Sequence, residues 1–274
     1  MNRSLWLGPV LLLLCGVWLL REPAREFQVV EGTSANRLVS LAPSLTEIVL
    51  ALGGKDRLVG VTDYCEEVGE EIPRLGGLQF NFERIVALRP DRVLAIETRS
   101  QAGLLSALTA RGIPVEVLRA ESLTDIRHTV IALGLLLEEM PRAEELLEEL
   151  ESAVVVADLE PVPAVFVIQR QPLMVAGGGA FVEEMLRAAG IQNLFSEESW
   201  SYRRVELERL IELDPVLILD ASYLATDPHA FWGRFDRLQA VRSDGVVSFP
   251  PVQPGLQIPE WVEQLREIAS TRRL

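Results

Sequence analysis

Two carboxylates recur in matching surroundings. Glu83-Arg84-Ile85-Val86-Ala87-Leu88-Arg89-Pro90 and Glu208-Arg209-Leu210-Ile211-Glu212-Leu213-Asp214-Pro215 stand 125 residues apart and share the acid, the base, the apolar spacing and the closing proline. Each reads as a short helix with its glutamate in the first turn, where the helix dipole favours an anion. The rest of the reactive inventory is thin. Two histidines, His128 and His229, fall short of the three histidines and a carboxylate that a free-zinc or manganese receptor needs. Two cysteines, Cys15 and Cys65, cannot form a disulfide framework. H-E-x-x-H, a P-loop, G-x-S-x-G and a nucleophile beside a base are all missing from the sequence. Binding rather than catalysis is the expectation, with no resident metal or cofactor.

The elements that must position these groups follow from the repeat. Each Glu-Arg segment ends at a proline that stops the helix, and a strand-like run follows: Arg92-Val93-Leu94-Ala95-Ile96 in one half, Val216-Leu217-Ile218-Leu219-Asp220 in the other. Upstream, Thr46-Glu47-Ile48-Val49-Leu50-Ala51-Leu52-Gly53 and Glu183-Glu184-Met185-Leu186-Arg187-Ala188-Ala189-Gly190 read as amphipathic helices closed by a left-handed glycine. Strands at 38–41 and 164–168 precede them. Each half is strand–helix–strand–helix–strand, which predicts a small, mostly parallel α/β sheet covered by helices. Between the halves, Ile126, Val130, Leu133 and Leu137 fall at helical spacing, and Pro141 restarts a helix at its first turn. Glu144, Glu145, Glu148, Glu149 and Glu151 there read as a solvated face opposite Leu146, Leu147 and Leu150. The expected organisation is a targeting segment and tether at 1–36, a first α/β lobe at 37–120, a helical connector at 121–158 and a second α/β lobe at 159–274. A connector without a Gly- or Ser-rich hinge is stiff, so little closure on a ligand is expected.

Composition agrees with a globular chain. Of 274 residues, 49% are apolar and 24% charged, and 40 acidic against 26 basic side chains leave a net charge of −14. That sign argues against nucleic acid as the partner. Residues 5–20 carry no charge after Arg3, a stretch of roughly 24 Å as a helix, which suits a signal h-region or short membrane anchor. An uncleaved anchor, lipidation at Cys15 and ordinary cleavage all stay open. Each places the remainder outside the cytoplasm, periplasmic or otherwise extracytoplasmic, with a tether to the membrane through the N-terminus in the first two cases.

Five segments, Arg37-Leu-Val-Ser-Leu-Ala-Pro-Ser-Leu-Thr-Glu47, Leu52-Gly-Gly, Val59-Gly-Val-Thr-Asp-Tyr-Cys65, Pro73-Arg-Leu-Gly-Gly77 and Asn81-Phe-Glu-Arg-Ile-Val-Ala-Leu-Arg-Pro-Asp91, in this order and with the duplicated Glu-Arg helix, resemble the helical-backbone periplasmic binding proteins of ABC importers. That family handles cobalamin, ferric siderophores and haem, and the cobalamin-binding members look most similar. The resemblance spans 37–274. It implies two α/β lobes joined by a long, rigid helix, with the ligand in the cleft between them. It also implies that one acid on each lobe docks the permease subunits, and Glu83 and Glu208 occupy those positions. The expected function is capture of a corrinoid or an iron chelate and its delivery to a permease, by a monomer that is not an enzyme. A membrane-tethered sensor ectodomain and a free-metal receptor are the alternatives.

In parallel α/β sheets the ligand crevice lies beyond the carboxyl ends of the strands, so the loops there hold the candidates. In the first lobe these are Ser44, Tyr64, Cys65, Gln79, Phe80 and Arg99; in the second, Gln169, Arg170, Trp200 and Tyr202. Tyr202 matches the place where cobalamin-binding members carry a contacting tryptophan. Ser44 could equally be a helix cap, Cys65 an inert buried thiol and Phe80 a packing residue. Trp232 and Trp261 read as packing anchors, and Gly177-Gly178-Gly179 as a turn before a helix near Phe181. Gln253-Pro254-Gly255-Leu256 departs from the family, whose members often bring an arginine to the ligand there.

Overall fold

The computed structural model describes residues 35–273 apart from 66–67, 78, 97–100, 120, 157–158 and 224–226. The expectations for the N-terminal segment, Cys15 included, and for Arg99 lie outside the described residues.

Two β-sheets organise the chain within one compact unit. In the first, β1 (Leu38–Ser40), β2 (Leu58–Val61), β3 (Arg92–Ile96) and β4 (Val115–Leu118) run parallel in the order β2-β1-β3-β4. The order reverses at β1, and such a switch point opens a crevice at the carboxyl ends of the strands. Helix α1 (Pro43–Ala51) starts there with proline in its first turn, and Gly53 at φ 80° receives the chain after it. α2 (Phe82–Ala87) and α3 (Ala102–Ala110) complete the lobe. Its core gathers Val39, Leu41, Leu75, Ile85, Val93 and Leu108.

The connector is α4 (Leu123–Leu137) followed by α5 (Met140–Ala153). A capping box between Ser122 and Asp125 starts α4. The stripe Ile126, Val130, Leu133 and Leu137 is buried, as its spacing predicts. Glu138 turns left-handed at the end of α4, so the connector is two packed helices, the second restarting at Pro141. Glu144, Glu145, Glu148, Glu149 and Glu151 are exposed. α4 packs on α1, while α5 packs on the C-terminal helix α10 (Ile258–Ser270). From α10, Arg266 donates to the carbonyls of Ala153 and Val155, closing the end of α5.

In the second sheet, β5 (Val162–Arg170), β9 (Leu217–Asp220) and β10 (Val246–Ser248) are parallel. β6 (Leu173–Ala176) turns back antiparallel to β5, and β8 (Tyr202–Arg204) pairs antiparallel with β6; β7 (Ile191–Asn193) adds to the start of β5. The β5–β6 hairpin is an addition that the repeat does not announce. α6 (Val182–Ala188), α7 (Leu207–Leu213), α8 (Pro228–Trp232) and α9 (Gln239–Arg242) complete this lobe. Trp232 is fully buried in its core with Val165, Leu210 and Ile218.

The duplication holds at the level of backbone geometry. α2 and α7 begin 125 residues apart, and Arg89 (φ 46°) and Asp214 (φ 41°) both take the left-handed conformation just before their prolines. Gly190 (φ 69°) likewise matches Gly53.

Candidate functional site

The carboxyl ends of both sheets border a cleft with two cavities. One, about 300 Å³, is bounded by Ser44, Glu47 and Leu50 on α1, by Tyr64 and Cys65 after β2, and by Trp261 on α10. The other, about 520 Å³, is bounded by Phe166 and Ile168 on β5, Phe181, Tyr202, Tyr223 and Glu121. Pro251, Gln253 and Pro254, from the segment after β10, border both. Together they give a concave site with apolar faces and a few placed polar groups, of the size that holds a small molecule.

The first cavity rests on a buried chain of polar groups. The Cys65 thiol donates to Thr46 Oγ1 at 3.2 Å and lies 3.3 Å from Thr62 Oγ1. Thr46 Oγ1 in turn lies 2.8 Å from Ser40 Oγ, which donates to the carbonyl of Ala42. Cys65 is therefore buried and also borders the cavity. Ser44 is not the cap of α1: the N-cap is Ala42, without a side-chain bond, and Ser44 borders the cavity from the first turn. Tyr64 is exposed, and the loop carrying it is held by Asp63, which exchanges hydrogen bonds with Gly76.

In the second cavity, burial and the neighbouring Tyr223 push the Tyr202 phenol up to about 12. Tyr223 itself is exposed. Arg170, which the sequence offers as a ligand contact, is used inside the fold instead. Arg170 Nε donates to Asp220 Oδ2 at 2.8 Å, Trp232 Nε1 donates to the same oxygen, and Ser222 donates to Oδ1 through both its N–H and its hydroxyl. Burial alone would raise the Asp220 carboxyl, but the bonds from Ser222, Trp232 and Arg170 outweigh it and hold it below the usual range.

Of the expected contacts, the fold brings Ser44, Tyr64, Cys65 and Tyr202 to the two cavities. It does not bring Gln79, Phe80, Gln169, Arg170 or Trp200 to either. Gln79 is exposed, and Phe80 packs on the first core. Gln169 turns its amide to the carbonyl of Gln171. Arg170 is consumed by Asp220 because a buried carboxylate needs a cation. Trp200 lies on the glycine turn 177–179, with its indole N–H on Glu198 and its ring against Phe195. Trp261 is both buried and a wall of the first cavity. Missing from the sequence-derived set are Thr46, Glu47 and Leu50, which face the cavity from within α1 rather than from a loop, and Pro251 to Pro254. The sequence singles out Gln253 to Leu256 only as a departure from the family; the prolines at 250, 251 and 254 are the signal that could have found this segment, because they mark extended chain leaving a strand end. Among the described residues, no three His, Cys, Asp or Glu side chains are grouped to hold a metal ion.

Glu83 and Glu208 are both exposed in the first turns of α2 and α7. Asn81 caps α2 through the N–H of Arg84, whereas α7 has no side-chain cap.

A pair of α/β lobes, one sheet parallel and one mixed, with its cleft at the strand ends and a helical connector defines a binding-protein architecture. The chain belongs to the periplasmic binding protein family, whose model matches residues 38–230. Members of that family are carriers that work outside the cytoplasm, not enzymes. The chain is 28% identical over 222 residues to the vitamin B12-binding protein of Vibrio parahaemolyticus, covering 77% of this chain and 80% of that one. In fold it is similar to a possible iron-binding periplasmic solute-binding protein of Staphylococcus epidermidis, with a TM-score of 0.77, 24% identity, and 86% and 99% of the two chains covered. It is also similar to a periplasmic haem-binding protein of Vibrio cholerae, with a TM-score of 0.76, 20% identity, and 85% and 98% covered. The expected two-lobed α/β fold and its family are thus established.

Proposed function

We propose that this chain captures a corrinoid or an iron chelate in the cleft and hands it to the permease of an ABC importer. The observation that carries the reading is the second cavity, which the buried Phe166 and Phe181 and the exposed Tyr202 and Tyr223 border, an apolar wall with two phenols of the kind a large amphipathic macrocycle needs. Glu83 and Glu208 support delivery: each stands exposed at an equivalent helix start, free of a core role, so the two carboxylates can meet arginines on two permease subunits and set the register of docking. Residues 5–20 support an extracytoplasmic chain held near the membrane by its N-terminus. The test is calorimetric titration of the full chain in detergent with cyanocobalamin, hemin, a ferric siderophore and zinc. Binding of one of the first three at micromolar Kd or tighter is expected; binding of zinc alone, or of none, overturns the reading.

A further inference from the structure

The loop that brings Tyr64 to the first cavity is fixed along its backbone. Asp63 donates its N–H to the carbonyl of Gly76 at 3.0 Å and accepts the N–H of Gly76 on Oδ1 at 3.1 Å. The Tyr64 N–H donates to Thr62 Oγ1 at 3.2 Å, and Arg74 donates to the carbonyls of Thr62 and Cys65. The Tyr64 side chain, by contrast, is 57% exposed, and a staggered side chain with that much room has more than one rotamer open to it. The ring rests on Gly77. A Cβ there would lie 2.7 Å from Cε2 and Cζ of Tyr64 and 2.8 Å from its hydroxyl oxygen, and these three are the nearest atoms it would meet. Carbon atoms in contact stay about 3.5–4.0 Å apart. The phenol end therefore fills the space in which any other residue at 77 would carry its side chain. The two glycines of this turn serve different ends. Gly76 sits at φ 103°, a conformation that itself favours glycine, whereas the backbone of Gly77 makes no such demand. The missing side chain at 77 is needed by the Tyr64 ring.

Building on the proposed function, we propose that Gly77 is a positioning residue for cargo binding: it borders neither cavity, but its bare α-carbon seats the Tyr64 ring at the edge of the first one before cargo arrives. A ring already in place does not have to be immobilised at the expense of affinity when cargo binds. A methyl group at 77 pushes the phenol end away by roughly 1 Å or turns it into another rotamer. The fold tolerates this, because the atoms most in its way are the far end of an exposed side chain.

The experiment labels the full chain in detergent with 3-fluorotyrosine. Its three tyrosines give three fluorine signals, and Tyr64→Phe identifies the one at 64. Gly77→Ala should move the Tyr64 signal, leave the other two in place and change the urea midpoint by less than about 0.5 M. Cyanocobalamin, hemin and ferrichrome are then titrated into the wild-type chain, Gly77→Ala, Tyr64→Ala and Gly77→Ala/Tyr64→Ala. For whichever solute the wild type binds, Gly77→Ala should weaken binding about threefold to tenfold. In the Tyr64→Ala background the same substitution should change affinity by less than about twofold, since the residue it acts through is gone. A Tyr64 signal that stays in place in Gly77→Ala overturns the seat. Unchanged affinity in Gly77→Ala, or an equal loss in both backgrounds, overturns the positioning role; all of these leave the proposed function intact. Binding of none of the three solutes by the wild-type chain overturns the proposed function and this role with it.

Discussion

Replacing Arg170 by methionine separates a structural role from a ligand-binding one. Arg170 and Asp220 have side chains only 3% and 0% exposed and meet at 2.8 Å. The guanidinium also lies 5.6 Å from the Phe231 ring. Methionine keeps most of the stem's packing but leaves the Asp220 carboxylate buried without its cation. Breaking a buried pair from one side costs about 3–5 kcal/mol. Trp232 and both donors of Ser222 still serve the carboxylate, so the lower end, about 3 kcal/mol, is expected. At a urea m-value of about 2–3 kcal/mol/M, that is a midpoint shift of roughly 1–1.5 M. The pH dependence gives a second check. The folded carboxyl sits below its unfolded value of about 3.9, so its stabilisation is complete above that value and is lost as pH falls through the folded one. The gap between wild type and Arg170→Met should therefore be full at pH 7 and narrow below about pH 4. Ligand affinity of the folded variant should change less than about threefold, since Arg170 borders neither cavity. A stability change under about 1 kcal/mol, accompanied by a tenfold loss of affinity, would return Arg170 to the ligand and refute the reasoning.

Three further outcomes follow from the same geometry. Glu83→Ala/Glu208→Ala should abolish ligand uptake in a transport assay while leaving ligand affinity unchanged and lowering the urea midpoint by less than about 0.5 M, because both carboxylates are exposed and lose only a first-turn dipole interaction; unchanged uptake ends the docking role. Of the three tyrosines, one should ionise near pH 12 by ultraviolet titration, and that step should disappear in Tyr202→Phe. The unfolded phenol titrates first, from about pH 10, so Tyr202 should cost stability as pH rises from there. Small-angle scattering should show a radius of gyration of roughly 18 Å for the described body, changed by less than about 1 Å on ligand binding, since both connector helices are packed onto their lobes; a large compaction contradicts the stiff connector.

The parts of the fold that repeat were legible because their physics is local. A proline after an amphipathic turn ends α2 and α7 alike, and Gly53 and Gly190 close the two preceding helices. The β5–β6 hairpin was not legible: Gln169 to Pro172 mark a break after the first apolar run, but whether Leu173 to Ala176 turn back onto it is decided by pairing across the sheet. The site was half legible. The first turn of α1, directly after β1, and the loop after β2 supply Ser44, Tyr64 and Cys65. Arg170 and Trp200 satisfy the same rule but turn inward, Arg170 because Asp220 lies on the adjacent strand and Trp200 because the glycine turn leaves room for its ring. Which way a loop side chain turns depends on such partners, distant in sequence. Conversely, Glu47 and the segment 250–257 meet at the cleft only because the chain returns to α1 after β10, a contact with no local signature.

The claim that cargo is held between the lobes, and released unchanged, is tested most directly by hydrogen exchange of the full chain with and without the solute that calorimetry selects. Protection should rise together at 43–50 and 62–65 on one lobe and at 199–204 and 250–257 on the other, and the solute recovered by denaturing the complex should be chemically identical to that added. Protection confined to one sheet, or recovery of an altered solute, would contradict the account.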